Sequence, residues 1–383
     1  MTAETDPGVG TPTAAPAAGR AVGAAAAGPT ARAVAPDARW PVYLLAGIAV
    51  GWLIAVLWSA HATITGFGDR LGAGTDDGID RGALTLSRAA LALPSVVTAS
   101  LVAGVAVGLA AIGLVAGRSA RRPAAAARPA TAEPATYRPG TAEPRTDQRG
   151  RAEPGVDQSG TDRPPVRVDL PWRLAVGAAA GLVTGGTVAA AILIGYGTGS
   201  AIVVLAAAVG AAGTLGGLVA TIRPAGMVGA AVAGTVAWFV LGVVHAAFND
   251  RLLAVFGAAN TAASRVHATS RLLFTVALTG GVIVGLVGYR YLRPWAGRLR
   301  WPVYLGAGAG PGLLLLLANL VVMVGGARLR GLAAAYSNAD GAVQRYIDTA
   351  GVNTALVLLF VGGVTAMIAF GRTLDAPADD QPD

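Results

Sequence analysis

The sequence contains no cysteine and no lysine, and only 13% of its 383 residues are charged. The missing cysteine excludes disulfides, thiolate nucleophiles and cysteine-ligated zinc or iron–sulfur centres. The missing lysine excludes a Schiff-base lysine and the phosphate-binding lysine of P-loop enzymes. Soluble domains carry about a quarter charged residues, whereas 54% of this chain is hydrophobic. The composition therefore indicates a membrane protein rather than a soluble enzyme.

Motifs that mark common enzyme families are also missing. The chain has no Gly-x-Ser-x-Gly, no His-Glu-x-x-His and no glycine-rich phosphate loop, each of which carries a defined chemistry. Asp76, Asp77 and Asp80 form an acidic group, but their spacing does not supply the oxygen ligands and the closing glutamate of an EF-hand. We therefore expect no catalytic residue, no cofactor and no metal site.

Long apolar stretches dominate the rest of the chain. A helix needs about 20 predominantly apolar residues to cross the hydrocarbon core, and a charge at the bilayer centre costs about 2.5–3.5 kcal/mol on insertion scales. Eight uncharged stretches meet this requirement, which predicts an all-α integral membrane protein with about eight transmembrane helices. The stretches run from Trp40 to His61, Ala89 to Gly117, Leu174 to Tyr196, Ser200 to Ile222, Ala225 to Phe248, Leu272 to Tyr289, Trp301 to Gly326 and Gly351 to Gly371.

The distribution of arginine predicts the orientation. With the N-terminus inside, the inward segments carry 20 of the 29 arginines and the outward loops carry 9. Because cytoplasmic segments are enriched in arginine, both termini are expected in the cytoplasm. Trp40, Trp172, Trp295 and Trp301 fall at the same inner interface, where aromatic belts are common. The alanine- and arginine-rich composition favours a bacterial plasma (inner) membrane.

Three segments lack the large apolar side chains of a folded core. They are the N-terminal tail 1–38, the Pro/Ala/Arg-rich linker 118–169 and the acidic tail 373–383, and we expect all three to be disordered in the cytoplasm. The membrane part then divides into a hairpin, 39–117, and a six-helix region, 170–372. A ten-residue proline-rich period makes the linker a solvated tether, or alternatively a contact for a protein or anionic lipids.

Two nine-residue segments of the chain are nearly identical. Residues Arg39–Gly47 and Arg300–Gly308 match at eight of nine positions, and each opens a predicted span. A span-start function explains the residue types, but not so many identities, so we infer duplication of a hairpin unit. Spans one and seven run the same way, which makes the copies parallel repeats. The third and fourth spans do not follow this pattern.

The loops on the outer side carry a related signal. Asp69 and Arg70 follow the first span, and Asp250 and Arg251 follow the fifth, each pair before a leucine. The mixed apolar and polar residues of the later loops predict partly helical segments on the outer membrane surface.

Few polar residues of the spans are candidates for function. His61 and His245 occupy similar positions at the outer ends of spans one and five, either as simple polar end-groups or as a proton-responsive pair. Asn319 is the most notable polar group inside a span. Asn319, Asn353, Thr184 and Thr187 are expected to hydrogen-bond neighbouring helices more often than to line a path.

Glycines spaced four residues apart predict closely packed helices, because they let two backbones approach each other. The pairs are Gly47 and Gly51, Gly104 and Gly108, Gly177 and Gly181, Gly213 and Gly217, Gly281 and Gly285, and Gly308 and Gly312.

Two functions fit these features. The first is a non-enzymatic scaffold or envelope-associated accessory protein, with the outer loops or the linker recruiting a protein partner. The alternative is a transporter or permease for a small or lipidic solute, which eight spans with an internal duplication favour. Either function implies contact with membrane lipids and no nucleic-acid partner, and both allow a homo-oligomer.

The absence of cysteine makes the orientation testable with single introduced cysteines. Asp76→Cys should react with a membrane-impermeant maleimide added to intact cells, because the first loop is predicted to lie outside. A cysteine in the linker should react only after the membrane is opened. Labelling of position 76 from the cytoplasmic side alone would contradict the predicted orientation.

Overall fold

The computed structural model describes residues 40–71, 81–126, 170–257, 261–295, 299–327 and 338–373. These ranges contain helices and no strand, and eight of the helices are long and apolar enough to span a membrane. The predicted fold class, an all-α integral membrane protein with about eight transmembrane helices, is confirmed. In chain order the helices are α1 (Trp40–Leu71), α2 (Arg81–Ala126), α3 (Leu170–Tyr196), α4 (Ser200–Val219), α5 (Ala225–Val255), α6 (Ala262–Leu292), α7 (Trp301–Gly325) and α8 (Asn338–Gly371).

Consecutive helices run in opposite directions. Tyr43 near the start of α1, Ile112 in the second half of α2, Trp172 near the start of α3 and Tyr291 at the end of α6 line one common cavity. These four parts of the helices therefore lie on the same side of the bundle. Arg223 lines the same cavity, and we call this side of the bundle the arginine-rich side. We call the opposite side the far side.

The helices are longer than the uncharged stretches in the sequence. Helices α5 and α6 have 31 residues each, which is about 47 Å at 1.5 Å per residue, against a hydrocarbon core of about 30 Å. Arg173 therefore belongs to α3, and Asp250 and Arg251 belong to α5, although the predicted spans excluded them. Extending a helix costs less free energy than starting a new one, so the spans continue into charged sequence.

The prediction for the later loops is confirmed in conformation and corrected in arrangement. Residues 250–255 are helical but continue α5, and residues 338–350 are helical but belong to α8. They extend the spanning helices instead of forming separate surface helices. Gly257, with φ +85°, follows α5, and this left-handed conformation favours glycine.

Helix α2 extends beyond the predicted start of the linker. Residues 118–126 continue α2 as a helix, because their alanine-rich sequence favours helix propagation. The tail 1–38, the rest of the linker, the acidic group Asp76, Asp77 and Asp80, and the C-terminal residues after Thr373 lie outside the described residues.

Helix α4 contacts the backbone of α3 through glycines on both helices. A Cβ atom added at Gly177 would lie 2.5 Å from the carbonyl oxygen of Gly217, and one added at Gly185 would lie 2.7 Å from that of Gly210. These separations are shorter than real Cβ contacts, so a hydrogen atom is the side chain that fits.

Helix α4 contacts α2 in the same manner on its other face. A Cβ at Gly216 would meet the carbonyl oxygen of Leu101 and would lie 2.9 Å from the amide nitrogen of Val105. The hydroxyl of Ser100, which is fully buried, donates a 3.0 Å hydrogen bond to the carbonyl oxygen of Val209. Helix α4 is thus held between two backbones without intervening large side chains.

Glycines also join α7 to α8 and α8 to α6. A Cβ at Gly312 of α7 would lie 2.6 Å from the carbonyl oxygen of Ala355, and one at Gly285 of α6 would lie 2.5 Å from that of Gly362. Five of the six predicted glycine pairs lie at such helix contacts. The prediction is wrong for Gly47 and Gly51 of α1, which have no neighbouring atom within 4 Å of an added Cβ.

The two copies of the nine-residue motif occupy different environments. In α7, Tyr304 is fully buried and stacks on Phe370 with ring centroids 4.4 Å apart. The matching Tyr43 of α1 is 38% exposed. Because α1 is the least buried of the eight helices, its small-residue face has no helix packed against it, which explains the failed prediction for Gly47.

The glycine contact between α3 and α4 yields a matched pair of variants. Gly185→Ala should lower the free energy of unfolding by about 1–3 kcal/mol, as overpacking does. Gly186→Ala on the same helix has nothing within 4 Å of the new methyl group and should change stability by less than about 0.5 kcal/mol. Denaturant unfolding in detergent micelles measures both, and equal stabilities would contradict the proposed backbone contact.

Candidate functional site

A cavity of about 710 Å³ lies in the far-side half of the bundle. We call it the far-side cavity. The described residues that line it belong to α1, α2, α5, α6, α7 and α8, and none belongs to α3 or α4. The hairpins α1–α2, α5–α6 and α7–α8 therefore build the cavity together.

Aromatic side chains form one wall of the far-side cavity. The rings of Trp52 and Phe239 stack with centroids 5.0 Å apart and an angle of 5° between their planes, which joins α1 to α5. Trp238 lies against α6 at Gly280, where an added Cβ would be 2.6 Å from the Trp238 Cε3 atom. Glycine at position 280 makes room for this ring, and the result is a broad apolar surface.

Neutral polar groups also line the far-side cavity. Asn319 of α7 and Asn353 of α8 line the cavity together with hydroxyl-bearing side chains such as Ser95 and Thr98. Among the described lining residues none carries a charge. This arrangement suits hydrogen bonds to an uncharged polar group that is attached to an apolar body.

The amide of Asn319 is oriented by its own helix and by a glycine of α8. Its Nδ2 atom donates a 2.9 Å hydrogen bond to the carbonyl oxygen of Leu315. A Cβ at Gly351 would lie 3.0 Å from its Oδ1 atom, so the glycine leaves space beside the amide. Because an amide has two donor hydrogens and one acceptor oxygen, Asn319 retains groups for a solute.

The expected role of the mid-span polar residues needs correction. Thr184 and Thr187 donate hydrogen bonds of 2.8 and 2.7 Å to carbonyl oxygens four residues earlier on α3, those of Ala180 and Val183. Asn319 does the same on α7. Bonding to the preceding turn satisfies a hydroxyl locally, so these groups do not need a neighbouring helix as partner.

The two histidines have different contacts. Nδ1 of His61 and the hydroxyl of Tyr196 form a 2.7 Å hydrogen bond, which joins the far-side ends of α1 and α3. The ring of Trp58 is 6.5 Å from that of His61. Nδ1 of His245 is buried with no hydrogen-bond partner among the described residues. The similar sequence positions thus lead to an exposed pair in one case and a covered ring nitrogen in the other.

The remaining candidates lie away from the far-side cavity or outside the described side chains. Asp250 and Arg251 are exposed on α5. Asp69 and Arg70 belong to the end of α1, and their side chains lie outside the described residues. Of the polar span residues that the sequence singles out, Asn319 and Asn353 line the cavity.

Sequence reasoning did not identify the aromatic lining of the far-side cavity. Trp52, Phe239 and Tyr346 all contribute to it, but each resembles ordinary apolar sequence within or beside a span. Their grouping depends on how six helices are rotated about their axes. The one usable signal was a polar side chain in mid-span, which marked both Asn319 and Asn353.

Comparisons with known proteins add no family to this description. No protein-family model, no curated protein and no solved structure matches the chain.

Accessibility of the far-side cavity can be measured because the chain has no native thiol. Ser95 is exposed and lines the cavity, whereas Ala99, one turn further along α2, is 1% exposed. Ser95→Cys should react with N-ethylmaleimide several-fold faster than Ala99→Cys, because the thiol must be reached by the reagent. Similar rates in folded protein would contradict an accessible cavity at this position.

Proposed function

We propose that this multi-pass membrane protein is a permease for a neutral, lipidic solute, which binds in the far-side cavity. The supporting observation is the composition of the cavity wall. Amide and hydroxyl groups around Asn319 and Asn353 share the lining with aromatic side chains that include Trp52 and Phe239, and no described lining residue carries a charge. A solute with a hydrogen-bonding head and an apolar body complements both parts.

The size of the cavity fits a molecule of this class. Ligand pockets commonly measure about 300–1,000 Å³, and the far-side cavity has about 710 Å³. A charged head would lack a counter-ion among the described lining residues, and burying an unpaired charge is costly. We therefore infer a neutral head, such as the hydroxyl of a diacylglycerol or of a long-chain alcohol.

The arrangement of the hairpins supports transport over simple storage. Substrate sites of many transporters lie where repeated units meet, and the far-side cavity is lined by α1–α2, α5–α6 and α7–α8. The near-identity of Arg39–Gly47 and Arg300–Gly308 supports a common origin for two of these hairpins. With both termini in the cytoplasm, as arginine placement indicates, the cavity lies in the outer half of a bacterial plasma membrane.

The scaffold hypothesis depends on different parts of the chain. It rests on the outer loops and on the linker, most of which lies outside the described residues, and it stays a prediction. The permease is favoured here because the cavity is a specific feature with a defined chemistry.

Photo-crosslinking with a diazirine-bearing diacylglycerol tests the proposed site in the full chain, reconstituted in lipid nanodiscs. Asn319→Leu should reduce specific crosslinking about tenfold, since one lost hydrogen bond in a buried site costs about 1–3 kcal/mol. The control is Leu320→Ala, because the adjacent Leu320 is 55% exposed and is not a lining residue. This variant should crosslink as the native chain does.

Two results would contradict the permease. Equal crosslinking of both variants would remove Asn319 from the site. Crosslinking that depends on Asn319, combined with no accelerated movement of the diacylglycerol between the leaflets of proteoliposomes, would leave a binding protein without transport.

A further inference from the structure

A second cavity, of about 340 Å³, lies on the arginine-rich side. We call it the arginine cavity. One part of its wall is aliphatic, with Val42, Leu109 and Ile112, and another part carries Trp172 and Tyr291. Aromatic residues of this kind are typical of the level where lipid headgroups meet the hydrocarbon.

Two cations face the arginine cavity. Arg173 of α3 and Arg223, which lies between α4 and α5, both line it, and their like charges repel each other. Arg173 is only 8% exposed, and its Nε atom is buried without a hydrogen-bond partner in the part of the chain that the structure describes. No acidic side chain is present among the described lining residues.

A buried guanidinium group beside a second cation needs a counter-ion. An unpaired buried charge is costly, and like charges add to that cost. The planar guanidinium of arginine binds two oxygens of a phosphate at once, with charge-assisted hydrogen bonds. Basic pockets between transmembrane helices are known sites for phosphate headgroups.

We propose that the arginine cavity binds a phosphate-bearing anion, whose oxygens pair with Arg173 and Arg223. The aliphatic wall at Val42, Leu109 and Ile112 complements an acyl chain, which is the chemistry of an anionic phospholipid. Inorganic phosphate offers the same oxygens without the chain. This site is separate from the far-side cavity and does not depend on the proposed transport.

One internal group competes with this assignment. Asp169 precedes α3 by one residue and lies four positions before Arg173, outside the described residues. If its carboxylate were the partner of Arg173, no external anion would be needed. The experiment therefore includes Asp169→Asn.

The test uses the purified full chain, stripped of lipid in detergent and titrated with phosphatidylglycerol, phosphatidylcholine or inorganic phosphate. Native mass spectrometry measures the bound lipid, and the melting temperature reports stabilisation by each probe. The native chain should bind phosphatidylglycerol at least about tenfold more tightly than phosphatidylcholine, the ratio that corresponds to about 1.4 kcal/mol. Inorganic phosphate that raises the melting temperature as strongly as phosphatidylglycerol would identify the soluble anion as the source.

Charge-removing variants locate the site. Arg173→Gln and Arg223→Gln should each weaken phosphatidylglycerol binding about tenfold. Arg290→Gln is the control, and its affinity for phosphatidylglycerol should stay within about twofold of that of the native chain. Arg290 is exposed and lies near the end of α6 on the arginine-rich side, but it does not line the cavity. If Arg173→Gln does not fold, the exposed Arg223 provides the deciding variant.

Two outcomes would overturn the proposal. The first is native-like phosphatidylglycerol binding in Arg223→Gln and in Arg173→Gln. The second combines two results. Asp169→Asn and Arg173→Gln lower the melting temperature equally, and neither phosphatidylglycerol nor inorganic phosphate raises the melting temperature of the native chain. Asp169→Asn with native or tighter phosphatidylglycerol binding supports the external anion.

Discussion

The backbone of α4 lies directly against the backbones of α2 and α3, and this contact joins three of the eight spanning helices without intervening large side chains. In a membrane, lipid chains are as apolar as leucine, so helices are not driven together by the exclusion of water. Close approach through glycine, with van der Waals contact along the backbones, supplies the attraction instead. Gly185 and Gly216 are points where even a methyl group would meet backbone atoms.

The bundle also contains two cavities that differ in their lining, the far-side cavity and the arginine cavity. Helices α3 and α4 take no part in lining the far-side cavity, which is lined by residues of the other six helices. The ring stack of Trp52 on Phe239 joins α1 to α5 there, so bulky side chains separate the backbones where glycines would have brought them together. At the arginine-rich side, α3 contributes Arg173 to a smaller cavity of opposite character. One cavity thus has neutral polar groups and the other has cations.

The nearly identical motifs show how context changes the role of a residue. Tyr304 is buried against Phe370, and the backbone at Gly308 meets that at Gly362. Tyr43, at the equivalent place in α1, lines the arginine cavity, and the neighbouring Gly47 faces open space. The same nine residues therefore serve as core packing in one copy and as a partly exposed helix face in the other.

Composition and periodicity were sufficient to determine the class of the protein and the number of its spans. A stretch of about 20 uncharged apolar residues is long enough to cross the hydrocarbon core as a helix, and this property can be recognised from local sequence. Five of the six glycine pairs identified by their spacing lie at close helix contacts, because small residues at four-residue intervals share one helix face.

What the tertiary structure alone decided is which faces meet. The rotation and the neighbours of each helix decide three features that the sequence did not reveal. These are the absence of close packing at Gly47 and Gly51, the grouping of Asn319 with Trp52, and the burial of Arg173. No local rule determines these properties, because a glycine or arginine at a span has the same sequence signature whether it faces lipid or protein. The boundaries of the helices also required the structure, since helix propagation carried α2, α5 and α8 past the ends of their apolar sequence.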